Sequence, residues 1–370
     1  MSDAAAATTA RSLSDAGICW HPVRYHRRST LGAAAFDYLS GLATAVGAIV
    51  RHRARFVHTR ASLTAPIGLL ASGLMGRRFL YDADSELSQE YVDGGHWSAG
   101  GLRHRLLSSL ERVCRKHADG IVVLTDRLRL ECRRADVAVP IAVIPCCVDV
   151  KRFAFDSRQR EIRRAELGIG SGKLLVYVGK LGPRYLVDEA MDFVRAVQRC
   201  EKNVRLLVLT QEDPDAFHRL ARNHGLAEIV TVTRAAPQDV PAWLWAADAG
   251  LALIRSSPSE RGSSPIKISE YLAAGLPVVT MPSIGDISAI VESERLGVVI
   301  RSTTPADYEG AAETLRDLWD GQSETRRRCA AWAGANLSLE DVGVPRYSQL
   351  YQTMLSGAAP LLHPSGAAHE

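Results

Sequence analysis

The densest group of residues that could do chemistry is the run SSPIKISEYLAAGLP at positions 263–277. Ser264 suits the N-cap of a helix, the proline after it suits the first helical turn, and Gly275 suits a left-handed C-terminal cap. The run therefore predicts a three-turn helix with Lys267 in its first turn and Glu270 on the same face. A lysine beside the free N–H groups of a helix start suits a phosphate, and the carboxylate suits ribose hydroxyls. A surface Lys–Glu ion pair is an equally compatible interpretation.

A second basic group follows a predicted strand at Leu174–Val178, where the chain continues as GKLGPR. In a doubly wound sheet, ligands bind beyond the carboxyl ends of the strands. Gly179 would allow a close approach of the backbone, and Lys180 and Arg184 would reach a diphosphate. An ordinary Gly/Pro turn with solvated cations is the alternative.

Two further groups follow predicted strands in the first half of the chain. His58 and Arg60 end one of them, and Asp82 and Glu90 follow the next. A histidine can position or deprotonate an acceptor hydroxyl, an arginine can hold an anion, and carboxylates can bind sugar hydroxyls. A structural histidine and a solvated acidic loop are the alternatives, and no metal site is expected.

The elements that would position these residues follow a βα pattern. Continuous Val/Ile/Leu runs predict strands buried on both faces, which is typical of parallel sheets covered by helices. In the second half the predicted strands are Leu174–Val178, Val204–Leu209, Ile229–Val232, Ala249–Ile254, Val278–Met281 and Gly297–Ile300. In the first half they are Ile18–Val23, Arg55–His58, Arg78–Tyr81, Ile121–Leu124 and Ile141–Ile144.

Length and charge divide the chain in two. Its 370 residues suffice for two domains, and 46% apolar with 23% charged residues exclude a fibrous or wholly disordered chain. The net charge of +4 is concentrated in the first 150 residues, which favours an anionic partner or surface on that side. The seven cysteines form no C-x-x-C pair, so reduced thiols and a cytoplasmic location are expected.

Four segments are predicted. Residues 1–165 form an N-terminal acceptor-side domain whose first βα unit is missing, and 166–340 form a C-terminal domain. Residues 341–356 form a helix that packs back on the first domain, and 357–370 form a disordered tail.

Two helices raise the question of a membrane. The stretch Leu31–Val50 is Ala/Gly-rich, and we predict a buried, close-packed helix rather than a membrane span. The helix Leu102–His117 carries five Lys/Arg residues and two histidines. A solvated face is the favoured interpretation, with weak contact to a membrane surface as the alternative. No nucleic-acid-binding motif is present, so a nucleic-acid partner is not expected.

Several segments together resemble the retaining GT-B glycosyltransferases of family 4. The string SPIKISEYLAAGLPVV (264–279) resembles their donor-binding signature, and VYVGKL (176–181) resembles the first strand and phosphate loop of their C-terminal domain. IPCCVDVKRF (144–153) resembles their interdomain segment, and Gly285-Asp286 resembles the stretch after the donor helix.

The resemblance implies an α/β GT-B fold, with two Rossmann-like doubly wound domains facing a cleft. It implies a nucleoside diphosphate sugar as donor, retention of anomeric configuration and usually no metal. Glu270 matches the glutamate that holds the ribose, Lys180 the basic residue of the phosphate loop, and Lys267 the lysine of "SPxK" variants. Arg184 lies one position short of the usual second cation, and His58-Thr59-Arg60 resembles an "H-x-H" segment.

The chain departs from the family pattern in two places. Gly262 stands where the family has a glutamate that meets the transferred sugar, and residues 1–17 show no strand or glycine-rich loop. The leading hypothesis is a retaining glycosyltransferase acting on a small-molecule, glycan or anionic acceptor, without a cofactor, in the cytoplasm or at the inner membrane face. The alternatives are a non-catalytic nucleotide-binding homologue and another GT-B enzyme, such as a sugar-nucleotide epimerase.

Overall fold

A computed structural model describes residues 3–23, 26 and 31–356, which form two α/β domains. The helices of the first domain are α1 (Asp3–Asp15), α2 (Leu31–His52), α3 (Ala65–Met75), α4 (Leu87–Asp93), α5 (Leu102–His117) and α6 (Asp126–Arg134). Its strands are β1 (Phe56–Arg60), β2 (Arg78–Ala83), β3 (Gly120–Val123) and β4 (Ile141–Val143).

The remaining elements build the second domain and the return to the first. The strands are β5 (Lys173–Val178), β6 (Val204–Leu209), β7 (Val230–Thr233), β8 (Ala249–Ala252), β9 (Val278–Thr280) and β10 (Gly297–Val299). The helices are α7 (Val150–Phe153), α8 (Ser157–Glu166), α9 (Val187–Cys200), α10 (Pro214–Asn223), α11 (Val240–Ala246), α12 (Ile266–Ala273), α13 (Ile287–Ser293), α14 (Pro305–Asp320), α15 (Gln322–Leu337) and α16 (Val344–Ser356).

The second sheet has the strand order β10-β9-β8-β5-β6-β7, and every pair in it is parallel. The order reverses between β5 and β8, so the loops that follow these two strands diverge and leave a crevice at their carboxyl ends. Residues 179–184 follow β5 directly, which places them at this crevice. The sheet lies between two hydrophobic layers, as the continuous apolar strands predict.

The first sheet has the order β1-β2-β3-β4 and is also parallel. The last helix, α16, completes its core, since Leu350 and Met354 pack against Leu80, Val122 and Ile144. Before α16 the chain passes beside the segment that joins the two domains. The backbone N–H of Val148 in that segment donates to the carbonyl oxygen of Leu337, the last residue of α15, at 2.8 Å. The two parallel sheets, each in an α/β domain, confirm the predicted fold class, and the second sheet has the reversal of strand order that marks a doubly wound sheet.

Three local predictions are wrong. Residues 18–23 form no strand, and β1 is the first strand among the described residues. Helix α2 is not buried. Only 6% of the apolar window within Gly32–His52 is buried, although the helix is long and apolar enough to cross a membrane. Ser264 is not the N-cap of α12, since Pro265 occupies that position. The Ser264 hydroxyl instead accepts a hydrogen bond from the backbone N–H of Cys146. The predicted tail, 357–370, lies outside the described residues.

A buried carboxylate ties α8 to the second sheet. Asp248 is 2% exposed and accepts hydrogen bonds from Arg160 (2.6 Å), Arg164 (3.1 Å), the backbone N–H of Leu174 (2.8 Å) and Gln322 (2.6 Å). Because Leu174 is the second residue of β5, this network fixes the strand that the loop 179–184 follows.

Removing this carboxylate is expected to destabilise the chain. In Asp248→Ala two largely buried guanidinium groups lose their counter-charge, which costs about 3–5 kcal/mol. Chemical denaturation would measure the loss. Asp307→Ala on α14 is the control, because its carboxylate is only partly buried and accepts only from the Ser302 and Thr304 hydroxyls at the start of the helix. Equal stability of the two variants would contradict the role given to Asp248.

Candidate active site

The loop after β5 meets the first turn of α12. The buried side chain of Lys267 extends below Gly179: its Nζ would lie 2.9 Å from a Cβ built on that glycine. A side chain at position 179 would therefore displace the end of Lys267, so glycine favours this approach of lysine and backbone. The Tyr177 hydroxyl fixes the loop by donating to Lys180 O at 2.8 Å, and Leu181 N donates to Glu212 at 2.8 Å.

The amine of Lys267 is enclosed by aromatic rings and has no polar partner among the described residues. Nζ lies 4.3 Å from the ring centre of Tyr185 and 4.9 Å from that of Tyr177. It makes no hydrogen bond although it is buried. Burial, together with the nearby Arg184, lowers the pKa of Lys267 to about 8. A desolvated, unpaired ammonium at a helix start is a strong site for an anion that brings its own charge.

Glu270 lies one helical turn beyond Lys267 on α12. Burial raises the pKa of its carboxyl, and the cations Arg152 and Lys267 oppose this rise. The carboxylate is half-buried. It is thus set to accept hydrogen bonds from a ligand that also contacts Lys267.

Arg184, predicted to reach a diphosphate, is engaged in this structure. Its guanidinium contacts Glu260 at 2.5 and 2.9 Å and the Ser263 hydroxyl at 2.9 Å. Glu260 is 3% exposed, so this pair closes one wall of the crevice. The Glu260 position carried no signal in the sequence beyond lying two residues from Gly262.

A cleft of about 430 Å³ runs between the two domains beside this pair. The second domain contributes Lys180, Arg184 and Tyr185, and the first contributes Glu90 and His96. The structure thus separates Glu90 from the other residues predicted to bind an acceptor, since Glu90 and residues 180–184 line the same cleft.

Those other residues form a cluster against the last helix. The Asp82 carboxylate, 1% exposed, accepts from the Tyr347 hydroxyl at 2.7 Å and lies 3.7 Å from His58 Nε2. His58 Nδ1 lies 3.1 Å from the Tyr351 hydroxyl. Strand β1 continues to Arg60, so His58 is not at its end as predicted but packs against the α16 tyrosines. Both tyrosines are far away in sequence, and no local pattern indicated them.

The cluster and the α12 helix are joined through the interdomain segment. Arg60 pairs with Asp84 at 3.2 Å. Burial raises the pKa of the neighbouring Cys146 thiol, and the charge of Arg60 opposes this rise. The backbone N–H of Cys146 donates to the Ser264 hydroxyl at 3.1 Å. Ser264 therefore lies at the domain junction rather than in the 430 Å³ cleft.

Two more contacts hold the domains together at this point. The Asp286 carboxylate accepts from the backbone N–H groups of Asp126 (2.6 Å) and Arg127 (3.4 Å) at the start of α6. A Cβ on Gly262 would lie 3.3 Å from the Leu128 side chain on the same helix. Gly262, which stands in place of the family glutamate, thus lets α6 approach the second domain closely.

Comparisons with known proteins agree with this two-domain architecture. A family model described as glycosyl transferase 4-like domain matches residues 3–147, and one described as glycosyl transferases group 1 matches residues 172–320. D-inositol 3-phosphate glycosyltransferase 2 of Catenulispora acidiphila is 29% identical over 216 residues, which are 54% of this chain and 48% of that protein. The putative teichuronic acid biosynthesis glycosyltransferase TuaH of Bacillus subtilis is 26% identical over 67% of this chain and 60% of its own length. The chain therefore spans about half the length of these relatives.

Solved structures share the fold at low sequence identity. Sucrose-phosphate synthase from Thermosynechococcus elongatus superposes with a TM-score of 0.71 at 18% identity, over 91% of this chain and 82% of the other. Anabaena HepE in complex with UDP-glucose gives 0.69 at 17% identity, over 94% and 89%. The domain order, the two family matches and this fold agree: each half of the chain matches a glycosyltransferase family model, and the fold is that of the GT-B glycosyltransferase structures.

Proposed function

We propose that the chain transfers a sugar from a nucleoside diphosphate sugar to a hydroxyl group of an acceptor, with retention of anomeric configuration. The observation that carries the proposal is the buried, unpaired Lys267 amine under Gly179, with Glu270 on the same helix face. In this proposal Glu270 holds the ribose hydroxyls, and Gly179, Lys180 and Lys267 hold the diphosphate.

In the reaction the bond between the sugar C1 and the diphosphate oxygen breaks, and its electron pair stays on the diphosphate. Lys267 and Lys180 stabilise this charge, which is greatest as the bond breaks. The acceptor oxygen bonds to C1 from the same face and gives its proton to the departing phosphate. No metal or cofactor is part of this proposal.

The acceptor is assigned to the side of the first domain. His58 is oriented by Asp82 and the α16 tyrosines, which suits a group that positions a hydroxyl. Arg60 is the further acceptor contact, the buried Asp82 acts through His58, and Glu90 completes the wall opposite Lys180. The inositol phosphate named for one relative is an anionic polyol, and an acceptor of that class fits the basic first half of the chain.

Donor binding and turnover test the proposal together. Because HepE is described with UDP-glucose, calorimetry starts with UDP and continues with GDP and dTDP. Incubation with the matching sugar nucleotide is then followed by NMR for hydrolysis or transfer, and the anomeric coupling reports retention. Binding without any turnover would favour a non-catalytic homologue, an isomerised sugar nucleotide would favour an epimerase, and the absence of binding would reject the donor site.

Nucleotide binding is expected to weaken as the pH rises through the pKa of Lys267. That pKa is lowered to about 8 by burial, so the free protein loses the ammonium above this pH, while a bound diphosphate requires it. Affinity for UDP should be constant from pH 7 to 7.5 and fall about tenfold between pH 8 and 9.5. Calorimetry across this range measures the effect. In Lys267→Met the profile should be flat, and a flat profile in the unmodified chain would contradict the assignment.

A further inference from the structure

The first domain presents three neighbouring helices on one side, and their exposed apolar residues form a surface that we call the outer face. Helix α2 packs beside α3: the Tyr38 hydroxyl donates to Leu63 O at 2.9 Å, and a Cβ built on Gly41 would lie 3.0 Å from the Ile67 side chain. Helix α3 in turn packs beside α5. The outer face comprises Phe36, Leu39, Val50, Leu63, Leu70, Leu74, Leu102, Leu106 and Val113.

On α2 the exposed apolar positions follow helical spacing. One exposed stripe of the helix comprises Phe36, Leu39, Ala43, Gly47 and Val50, of which the first two and the last are large apolar residues. Phe36 is 60% exposed and Leu39 is 67% exposed. The small residue Gly41 faces α3 instead, which explains how an apolar helix can pack on its neighbour and still leave a full apolar stripe uncovered. Such a large uncovered stripe is unusual unless something binds it.

On α5 the apolar stripe is bordered by cations. Leu102 and Leu106 are 74% and 62% exposed, and Arg105, Arg112 and Lys116 follow the adjacent exposed stripe. The carboxylates on or near this helix point elsewhere: Glu111 is buried and accepts from Ser88, and Glu86 pairs with Arg115.

Cations also border the outer face on the other two helices. Helix α2 ends in Arg51 and His52, with exposed Arg53 following, and α3 is followed by exposed Arg77. Asp37 of α2 is held by His26. An apolar stripe with positive borders is complementary to a lipid surface with negative headgroups. A second copy of the same basic surface would instead bring like charges together.

We propose that the outer face lies on the surface of a bilayer that contains anionic lipids, with Phe36, Leu39, Leu70, Leu74, Leu102 and Leu106 in the headgroup boundary. The protein is bound at the surface and does not span the bilayer, because α2 is packed along α3 within the domain. This surface is separate from the nucleotide site, so the two can be tested independently.

The test is co-sedimentation of the full chain with vesicles of phosphatidylcholine mixed with phosphatidylglycerol, compared with phosphatidylcholine alone. Binding is expected to the mixed vesicles and to weaken with added salt. The double variant Phe36→Glu/Leu39→Glu should lower partitioning about tenfold or more. Arg105→Ala/Arg112→Ala should lower it by a similar factor, since each cation near an anionic surface contributes about fivefold.

A matched control is Ile162→Glu on α8, which introduces a charge at a 41% exposed apolar position of the other domain. It should leave partitioning unchanged. All of these positions are exposed, so the variants should keep the circular dichroism spectrum and the UDP affinity of the unmodified chain. A variant that loses either property is replaced by Leu74→Glu.

The proposal is overturned if the chain does not bind anionic vesicles, or if the paired variants bind like the control. It is also overturned if bound protein resists alkaline carbonate, which would indicate a spanning helix, or if the variants abolish only self-association.

Discussion

Lys267→Met is expected to lower the rate of sugar transfer about a hundred- to thousandfold, the loss seen when one group that stabilises a developing anion is removed. The methionine stem fits between the rings of Tyr177 and Tyr185 that now enclose the lysine. Because the native amine is buried without a hydrogen bond, its removal should leave thermal stability unchanged or raised. A large loss of activity with no loss of stability would therefore locate the effect in the reaction.

The control for this variant is Lys173→Met. Lys173 also lies over an aromatic ring, that of Trp319 at 5.5 Å, but it begins β5 at the opposite end from Gly179. Its substitution should change the transfer rate little. Equal rates in both variants, measured with saturating donor, would remove Lys267 from the catalytic role proposed for it.

Glu270→Ala is expected to weaken binding of a nucleoside diphosphate at least about a hundredfold. Two hydroxyl hydrogen bonds to a carboxylate contribute about 1.5–3 kcal/mol each, and about 1.4 kcal/mol corresponds to a tenfold change in affinity. Calorimetry measures the change. The affinity of Glu270→Gln should lie between that of Glu270→Ala and that of the unmodified chain, since glutamine keeps an acceptor oxygen without the charge.

The contrast between ligands makes this second test specific. If Glu270 holds the ribose, the variant should lose affinity for UDP but should bind inorganic diphosphate as well as the unmodified chain does. Glu313→Ala, at an exposed position of α14, should bind both ligands normally. Parallel losses for UDP and diphosphate would assign Glu270 to the support of Lys267 rather than to the ribose.

Regular elements could be predicted because a strand buried on both faces must be apolar throughout. The predicted strand Val204–Leu209 coincides with β6, and the predicted end of β5 at Val178 is confirmed. This sufficed to bring residues 179–184 and α12 to one crevice, because the carboxyl ends of parallel strands share an edge. Local spacing thus predicted the juxtaposition of Gly179, Lys267 and Glu270.

Contacts between distant segments could not be predicted in this way. The side chains that engage Arg184 and His58, namely Glu260 and Tyr351, belong to elements with no local signature of pairing. The burial predicted for helix α2 is wrong for a different reason: its apolar composition indicates burial, but composition does not say whether the partner is protein. Only the packing against α3 shows that most of its surface stays open.

The return of α16 to the first domain affects how the protein is made. The first sheet is synthesised early, but Leu350 and Met354, which cover Leu80 and Val122, are made only after the whole second domain. A first domain emerging from the ribosome therefore exposes this apolar sheet face until the second domain has been completed. We expect the two domains to become stable nearly together, and a chain that stops before α16 to need a chaperone.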